Sequence, residues 1–364
     1  MSKQDQQESR KIYRKAVAEE FPERITLTLG TTRHVYEKVR WNSTDGRKGL
    51  RYGTNPHQRA ALYKPQGSKA GIGNLEWIKW GKDGPSATNI EDGSHGHRIV
   101  SYFDRPAASV MKHLNPSGVA VQRASEKIVD VYRRARDADP RAAFGSVVVF
   151  NGRVDRELAE EIMTSYVEVV YAPDYQEDAL SVFTSKKDIR VARVRNVGQS
   201  ERSFPPDLFV LDDGSIIVED PYKTKIRSLE DLRRLSVPTR RKPSLKEYTD
   251  LLHSWWVACE VRSNAIILWK DGASIAIGTG QQDRVGALEN CVEKAHRFGH
   301  SMKGSSLASD GFFPKTDNIE LAAREGISAI VQPGGSVEDD QVIAACDQHD
   351  IAMIIAGERS FRHF

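Results

Sequence analysis

The stretch GSVVVFNGRVDRELAEEIMTSYVEVVY, residues 145–171, decides the fold class. Residues 145–150 read as a buried strand turned at Asn151-Gly152. Residues 155–165 then carry a helical pattern, and residues 167–171 form a second β-branched run stopped at Pro173. Strand, helix and strand in succession are the unit of layered α/β structure.

The same alternation extends in both directions. Upstream, residues 119–121 precede an amphipathic stretch, 125–138, that ends at Asp139-Pro140. Downstream, a helix over 244–259 precedes a strand at 265–269, turned at Asp271-Gly272, and residues 274–277 run into Gly278-Thr279-Gly280. A helix at 318–324 leads through Gly326 to a strand at 329–331 and the Gly334-Gly335 turn, and a helix at 339–348 feeds an apolar strand at 351–355. Between the halves, residues 188–243 carry basic, Pro-bearing segments that flank short β-like runs such as 215–218, and read as a connecting region. The expectation is an α/β protein of two similarly built parts, residues 1–200 and residues 201–364 as connecting region plus second part, with no repeat visible in the sequence itself.

A chain of 364 residues has room for two cores, and 39% apolar with 28% charged residues excludes a disordered chain. The 53 basic and 50 acidic residues leave +3, too weak a balance to call for nucleic acid. Arg240-Arg241-Lys242 reads as solvated surface. Cys259, Cys291 and Cys346 are odd in number and far apart, which fits a reducing compartment without a disulfide framework. No Cys-x-x-Cys or His-Glu-x-x-His spacing supports a metal. Residues 1–9 are polar and mixed in charge, unlike a targeting peptide, and no apolar run approaches the roughly 20 residues that cross a bilayer. The expected setting is soluble and cytoplasmic, with no nucleic-acid or membrane partner.

Chemistry-bearing residues fall in five places. Lys112-His113 sets a cation beside the one side chain that titrates near neutral pH, at the end of an apolar strand and before Asn115-Pro116-Ser117-Gly118, which reads as the turn. Arg51-Tyr52 opens RYGTNPHQ, residues 51–58, where Arg offers a planar fork for phosphate and Tyr a stacking face. Gly278 to Arg284 runs from a strand through two glycines into a helix start. It lacks both the third glycine of a dinucleotide fingerprint and the Gly-Lys-Ser/Thr of a P-loop, so what remains is an anion held by backbone amides and Arg284, or a plain turn. Residues 309–317 put Phe312 and Phe313 near Asp317 in a Pro-bounded loop, an aromatic wall with a carboxylate. Arg359, Phe361, Arg362 and His363 close the chain, and the apolar strand before them is expected to anchor that tail.

These segments together resemble the AICAR transformylase family, the transformylase part of the bifunctional purine biosynthesis protein. The resemblance rests on residues 50–58, 112–118, 139–145, 262–265, 278–284, 309–318, 332–336 and the terminal Phe361-Arg362-His363, in family order from about residue 45 onward. It implies two three-layer α/β subdomains resembling the cytidine deaminase fold, without that enzyme's zinc ligands. It implies formyl transfer from 10-formyltetrahydrofolate, a co-substrate, to the amine of AICAR, giving FAICAR and tetrahydrofolate with no metal. The active form would be a homodimer with interface sites. The resemblance places Lys112, His113 and Asn264 as catalytic, and Arg51, Tyr52, Asn89, Gly145 and Glu168 at the nucleotide. Arg284, Phe312, Asp317, Arg359, Phe361 and His363 fall at folate or catalytic-site positions. The chain departs from the family in lacking a cyclohydrolase segment, which implies a separate IMP cyclohydrolase, in carrying Cys259 where many relatives have Lys, and in the extra residue Phe364.

On this reading His113 takes the proton of a weakly nucleophilic amine, Lys112 stabilises the oxyanion or protonates the leaving nitrogen, and Asn264 adds a hydrogen bond. Arg51 holds the 5′-phosphate, while Phe312 and Phe361 wall a ring. Two other classes compete: a non-catalytic AICAR-binding regulatory module, and a zinc deaminase, whose ligands are missing.

Overall fold

Eleven strands form one mixed sheet, ten of them in an order that mirrors across a single seam, in a computed structural model describing residues 17–43, 46–195 and 206–363. Residues 1–9 and Phe364, singled out above, lie outside the described residues. The chain opens with β1 (Arg24–Leu29) and β2 (Thr32–Lys38), then the small hairpin β3 (Trp41–Ser43) and β4 (Gly46–Lys48), β5 (Tyr63–Pro65) against β2, and β6 (Glu76–Lys79) at one edge of the large sheet.

The first half then runs α1 (Ala87–Val100), β7 (Ala107–Lys112), β8 (Asn115–Val121), α2 (Ile128–Asp137), β9 (Ser146–Phe150), α3 (Arg156–Met163), β10 (Val167–Ala172), α4 (Glu177–Phe183) and β11 (Arg190–Arg193). After the hairpin β12 (Asp207–Val210) and β13 (Ile216–Glu219) and the short α5 (Leu229–Arg233), the same series returns. It is α6 (Leu245–Ala258), β14 (Ile266–Lys270), β15 (Ala273–Gly278), α7 (Arg284–Arg297), β16 (Ser306–Ser309), α8 (Asp317–Arg324), β17 (Ala329–Gln332), α9 (Asp339–Gln348) and β18 (Ala352–Ile355). Each half is a helix, an antiparallel hairpin, and three mutually parallel strands alternating with helices. The α/β class read from the sequence is the class found.

The halves meet at β8 and β15, where the Val119 amide donates to Ser274 Oγ at 2.9 Å and the Val121 amide to the Gly272 carbonyl at 2.9 Å. Alternation along each strand assigns the faces. Val147 and Val149 of β9, like Ile267 and Trp269 of β14, enter one core that runs under α1 and α6 across both halves. Val148 and Phe150 enter a second core under α2 and α3, and Ile266 and Leu268 a third under α7 and α8. Two glycines set how closely the outer helices approach. A Cβ on Gly118 of β8 would lie 2.0 Å from the Ala135 carbonyl oxygen, and one on Gly278 of β15 would lie 2.1 Å from that of Ala287.

One boundary differs from the sequence reading. The region expected to connect the halves from residue 188 begins later, because Arg190–Arg193 is β11, paired in parallel with β10. An arginine at each end of a four-residue strand leaves no apolar run to read. Among the described residues no helix is long and apolar enough to cross a membrane.

Candidate active site

Lys112 is the last residue of β7 and pairs with Asn115, so only His113 and Leu114 make the turn between β7 and β8. Both have positive φ, 54° and 67°, as a two-residue type I′ hairpin requires. Neither is Gly, Asn or Asp, so this backbone costs on the order of 1 kcal/mol or more per residue and must be held by its surroundings. Asp92 on α1 holds it: Asp92 Oδ1 accepts the Leu114 amide at 2.6 Å. The sequence reading put the break at Asn115-Pro116-Ser117-Gly118, and this is corrected: those residues open β8. The ladder register shifts between Val110 and Met111, where proline supplies no N–H, and Ser117 Oγ donates to the Val110 carbonyl at 3.2 Å.

The tip exposes His113, while Lys112 turns back beneath it. Lys112 Nζ donates to the carbonyls of Gly145 at 2.8 Å and Phe144 at 3.2 Å, which occupies two of its three donors. The Gly145 amide donates to the Tyr166 carbonyl at 2.7 Å, and the exposed rings of Phe144 and Tyr166 lie 5.3 Å apart, centre to centre. Burial pushes the Asp92 carboxyl up to about 6, against the opposing pull of the Leu114 amide and Lys112. His95, one turn along α1, is pushed down to about 3 by burial and by Arg98 and Arg362, and stays neutral.

Arg51 and Tyr52 lie at the start of α1. The Arg51 amide donates to the Pro85 carbonyl, and the Ala87 amide to that of Tyr52. Ser86 caps the helix through a capping box with Asn89, whose Nδ2 donates to Glu168 Oε2 at 3.0 Å. The Arg51 guanidinium donates to Tyr52 Oη at 2.9 Å, its Cζ 4.5 Å from the centre of that ring. Arg190 joins this group with Nε on the Gly84 carbonyl at 2.7 Å. Thus Arg51, Tyr52, Asn89 and Glu168 come together at the α1 end, and Gly145 adjoins Lys112.

The second half gathers the remaining residues around the chain end. The Asn264 amide and Nδ2 donate to the Gln281 carbonyl at 3.1 and 2.9 Å. Arg284 is buried and ion-paired with Asp310, which is itself completely buried. Of the two readings of this segment, an anion site or a plain turn, the pair gives Arg284 a carboxylate partner within the fold. Phe313 is in the core and Phe312 is 40% exposed, so the aromatic pair splits between core and surface. Asp317 begins α8, and its Oδ1 accepts the Asn318 amide at 2.8 Å. Arg359 stacks over Phe361 with Cζ 4.3 Å from the ring centre, and His363 meets the same ring edge-on at 5.8 Å. The tail is anchored, with Ser360 donating to the Asp310 carbonyl and Ser263 to that of Arg362.

Asn115 bridges the two groups. Its Oδ1 accepts the Arg262 amide at 2.9 Å and Thr279 Oγ1 at 2.9 Å. Glu260 makes a second bridge, taking Arg98 of α1 at 3.1 Å and Arg362 of the tail at 3.5 Å. Asp92, Asn115, Arg190 and Asp310 were not among the residues picked from the sequence. None of them lies in an element that the sequence pattern predicts: Asp92 is in the polar-faced α1, Asn115 in the expected turn, Arg190 in the expected connecting region and Asp310 in the Pro-bounded loop. Among the described residues no group of three or more His, Cys, Asp or Glu is gathered to hold a metal ion.

Comparison with known proteins bears on this arrangement. The family model described as AICARFT/IMPCHase bienzyme matches residues 5–294. The bifunctional purine biosynthesis protein PurH of Caldicellulosiruptor saccharolyticus is 38% identical over 346 residues, 94% of this chain and 61% of that protein. PurH of Magnetococcus marinus is 40% identical over 327 residues, 87% of this chain and 59% of its own length. The Dictyostelium discoideum protein is 38% identical over 316 residues, 86% and 57% respectively. The chain therefore spans about 60% of the length of the curated relatives it matches. A solved deaminase/reductase from Thermotoga maritima, 22% identical, overlaps 26% of this chain and 31% of its own at a TM-score of 0.19, too little to bear on fold or chemistry.

Proposed function

Since the chain belongs to the AICARFT/IMPCHase bienzyme family, we propose that it carries the formyl-transfer step of purine biosynthesis, from 10-formyltetrahydrofolate to AICAR. The observation that carries this reading is the His113-Leu114 hairpin. The fold holds a costly turn there and gains an exposed imidazole beside a lysine ammonium.

The AICAR amine is a poor nucleophile because its lone pair is delocalised into the ring. As its nitrogen attacks the formyl carbon, His113 takes the amine proton, which keeps positive charge from building on that nitrogen. The new N–C bond leaves an oxyanion on the formyl carbon, facing Lys112 Nζ and the Asn264 side chain. Collapse breaks the bond to folate N10, which receives a proton and leaves as tetrahydrofolate. Arg51 and the amino end of α1 receive the 5′-phosphate, Tyr52 the adjoining sugar or ring, and Phe312 with Phe361 the folate. No step calls on a metal. The working unit is proposed to be a homodimer with its sites at the interface.

Purified protein with AICAR and 10-formyltetrahydrofolate, followed at the tetrahydrofolate absorbance, tests the reading. His113→Ala is expected to lower kcat by roughly 100- to 10,000-fold with AICAR still bound. Turnover near wild type in that variant removes His113 from the chemistry.

A further inference from the structure

We propose that Arg190 is a second cation of the phosphate site, sharing a 5′-phosphomonoester with Arg51 and setting a preference for nucleotide over nucleoside. This rests on the reading that the site at the start of α1 takes a ribonucleotide.

Arg51 and Arg190 come from distant parts of the chain, and both are at least nine-tenths buried, with 9% and 5% of their surface exposed. They converge on one atom: the Lys82 carbonyl oxygen accepts Arg51 Nη1 at 3.5 Å and Arg190 Nη2 at 2.8 Å. The turn is shaped around the second of them. Gly81 has φ +63°, and a Cβ there would lie 2.6 Å from Arg190 Cγ. Two guanidinium groups on one oxygen repel each other, and their removal from water makes that repulsion more costly. Arg190 bears the effect, its pKa held down by burial and by the charge of Arg51. The carboxylate that acts on Arg190 is Glu168, which is shared with Asn89. Both guanidinium charges lie beside that one shared carboxylate, and a phosphate dianion would meet them together. Arg51 also keeps a buried Nε without a partner, a donor waiting for an acceptor. The N-cap of α1, Ser86, stands two residues after Gly84, so the helix dipole adds to the same field.

A turn tether alone would also explain the two carbonyl contacts of Arg190, and the test separates the roles. Wild type, Arg190→Gln and Arg190→Lys are titrated calorimetrically with AICAR, its dephosphorylated nucleoside, and AMP. Loss of a charged hydrogen-bond partner is expected to weaken AICAR by about 10- to 100-fold in Arg190→Gln, with Arg190→Lys between. Nucleoside affinity stays within about twofold, because the lost contact is to phosphate alone. An equal loss for nucleotide and nucleoside, or no loss for either, overturns the proposal and leaves the formyl-transfer reading standing. If AMP binds with this Arg190 dependence while AICAR does not bind, the formyl-transfer reading falls and the phosphate site stands. Wild-type protein that binds none of the three contradicts both.

Discussion

The hairpins β7–β8 and β14–β15 occupy equivalent places in the two halves, and their likeness is close. Each follows a 14-residue helix opened by a serine capping box, Ser86 with Asn89 and Ser244 with Glu247. At the sixth residue of each helix stands a buried aspartate that accepts an amide of the hairpin turn: Asp92 from Leu114, and Asp250 from Asp271 at 3.4 Å. Each first strand ends in a lysine whose ammonium donates to two carbonyls ahead of the third strand, Lys112 to Phe144 and Gly145, and Lys270 to Ser301 and Lys303. The lysine tether is therefore a property of the fold, and by itself says nothing of catalysis.

The turns are where they part. The second hairpin uses Asp271-Gly272, the residue pair that a type I′ turn favours, with φ 51° and 76°. The first uses His113-Leu114 in the same geometry. Charge differs as well. Asp250 is paired with Lys246 at 2.9 Å, and that lysine also takes Asp271 at 2.9 Å. On α1 the matching position is the uncharged Thr88; burial raises the pKa of both aspartates, that of Asp92 to about 6. One half keeps the relaxed version of a shared device, while the other departs from it where the proposed chemistry sits.

The largest effect that would sharpen this contrast is on turnover. Lys112→Ala and Lys270→Ala are each expected to lose about 1 kcal/mol of stability, since each removes a comparable tether. Only Lys112→Ala loses formyl transfer, by about 100-fold or more. Equal activity loss in both would reduce Lys112 to scaffold. Unfolding midpoints and initial rates on both variants decide it.

Next comes a pH effect. The folded protein holds the Asp92 proton to about pH 6, whereas the unfolded chain releases it near pH 4. Stability from this group is intact below about pH 4 and lost as the pH rises through 6, a change on the order of 3 kcal/mol. Asp92→Asn keeps an acceptor for the Leu114 amide but cannot ionise, so it should gain on wild type between pH 4 and pH 7. Urea unfolding at both pH values measures this, and a constant difference would show that Asp92 is not the group concerned.

The paired glycines test the likeness from the other side. Gly118→Ala and Gly278→Ala force a Cβ against a helix carbonyl, and each should cost about 2 kcal/mol or more by thermal or urea unfolding. If one is tolerated and the other is not, the two halves are not packed by the same rule. The smallest effect is at the turn: Leu114→Gly relieves a positive φ and should stabilise by about 1 kcal/mol. A loss of stability there would mean that the leucine side chain contributes more than its backbone costs.

The parts of this architecture that were legible in the sequence are those whose burial shows as an apolar run. Strands β9, β10 and β14 are Val- and Ile-rich and buried on both faces, so their pattern survives without tertiary context. Helix α1 was not read, because its inward face is polar and small. Asn89, Asp92, Gly93, Gly96 and His97 are buried there, and a Cβ on Gly93 would lie 2.4 Å from the Tyr171 ring. At the site, residue type alone marked Lys112, His113 and Arg51, while Asn264 came only with the family resemblance. Their partners escaped because pairing is set across the fold: Asp92 stands 22 residues from Leu114, Asn115 147 from Arg262, and Asp310 26 from Arg284. The turn was misplaced because Asn-Pro-Ser-Gly is better turn chemistry than His-Leu, and local preference was overridden by the hold of Asp92.

The most direct test of the central claim is to give the first hairpin the turn of the second. The double variant His113→Asp with Leu114→Gly is measured for formyl transfer and for urea unfolding in one preparation. The account predicts that turnover falls by at least about 100-fold while unfolding free energy rises by about 1 kcal/mol. Retained turnover, or a protein that loses stability along with activity, would contradict the claim that this turn is held under strain to present a proton acceptor.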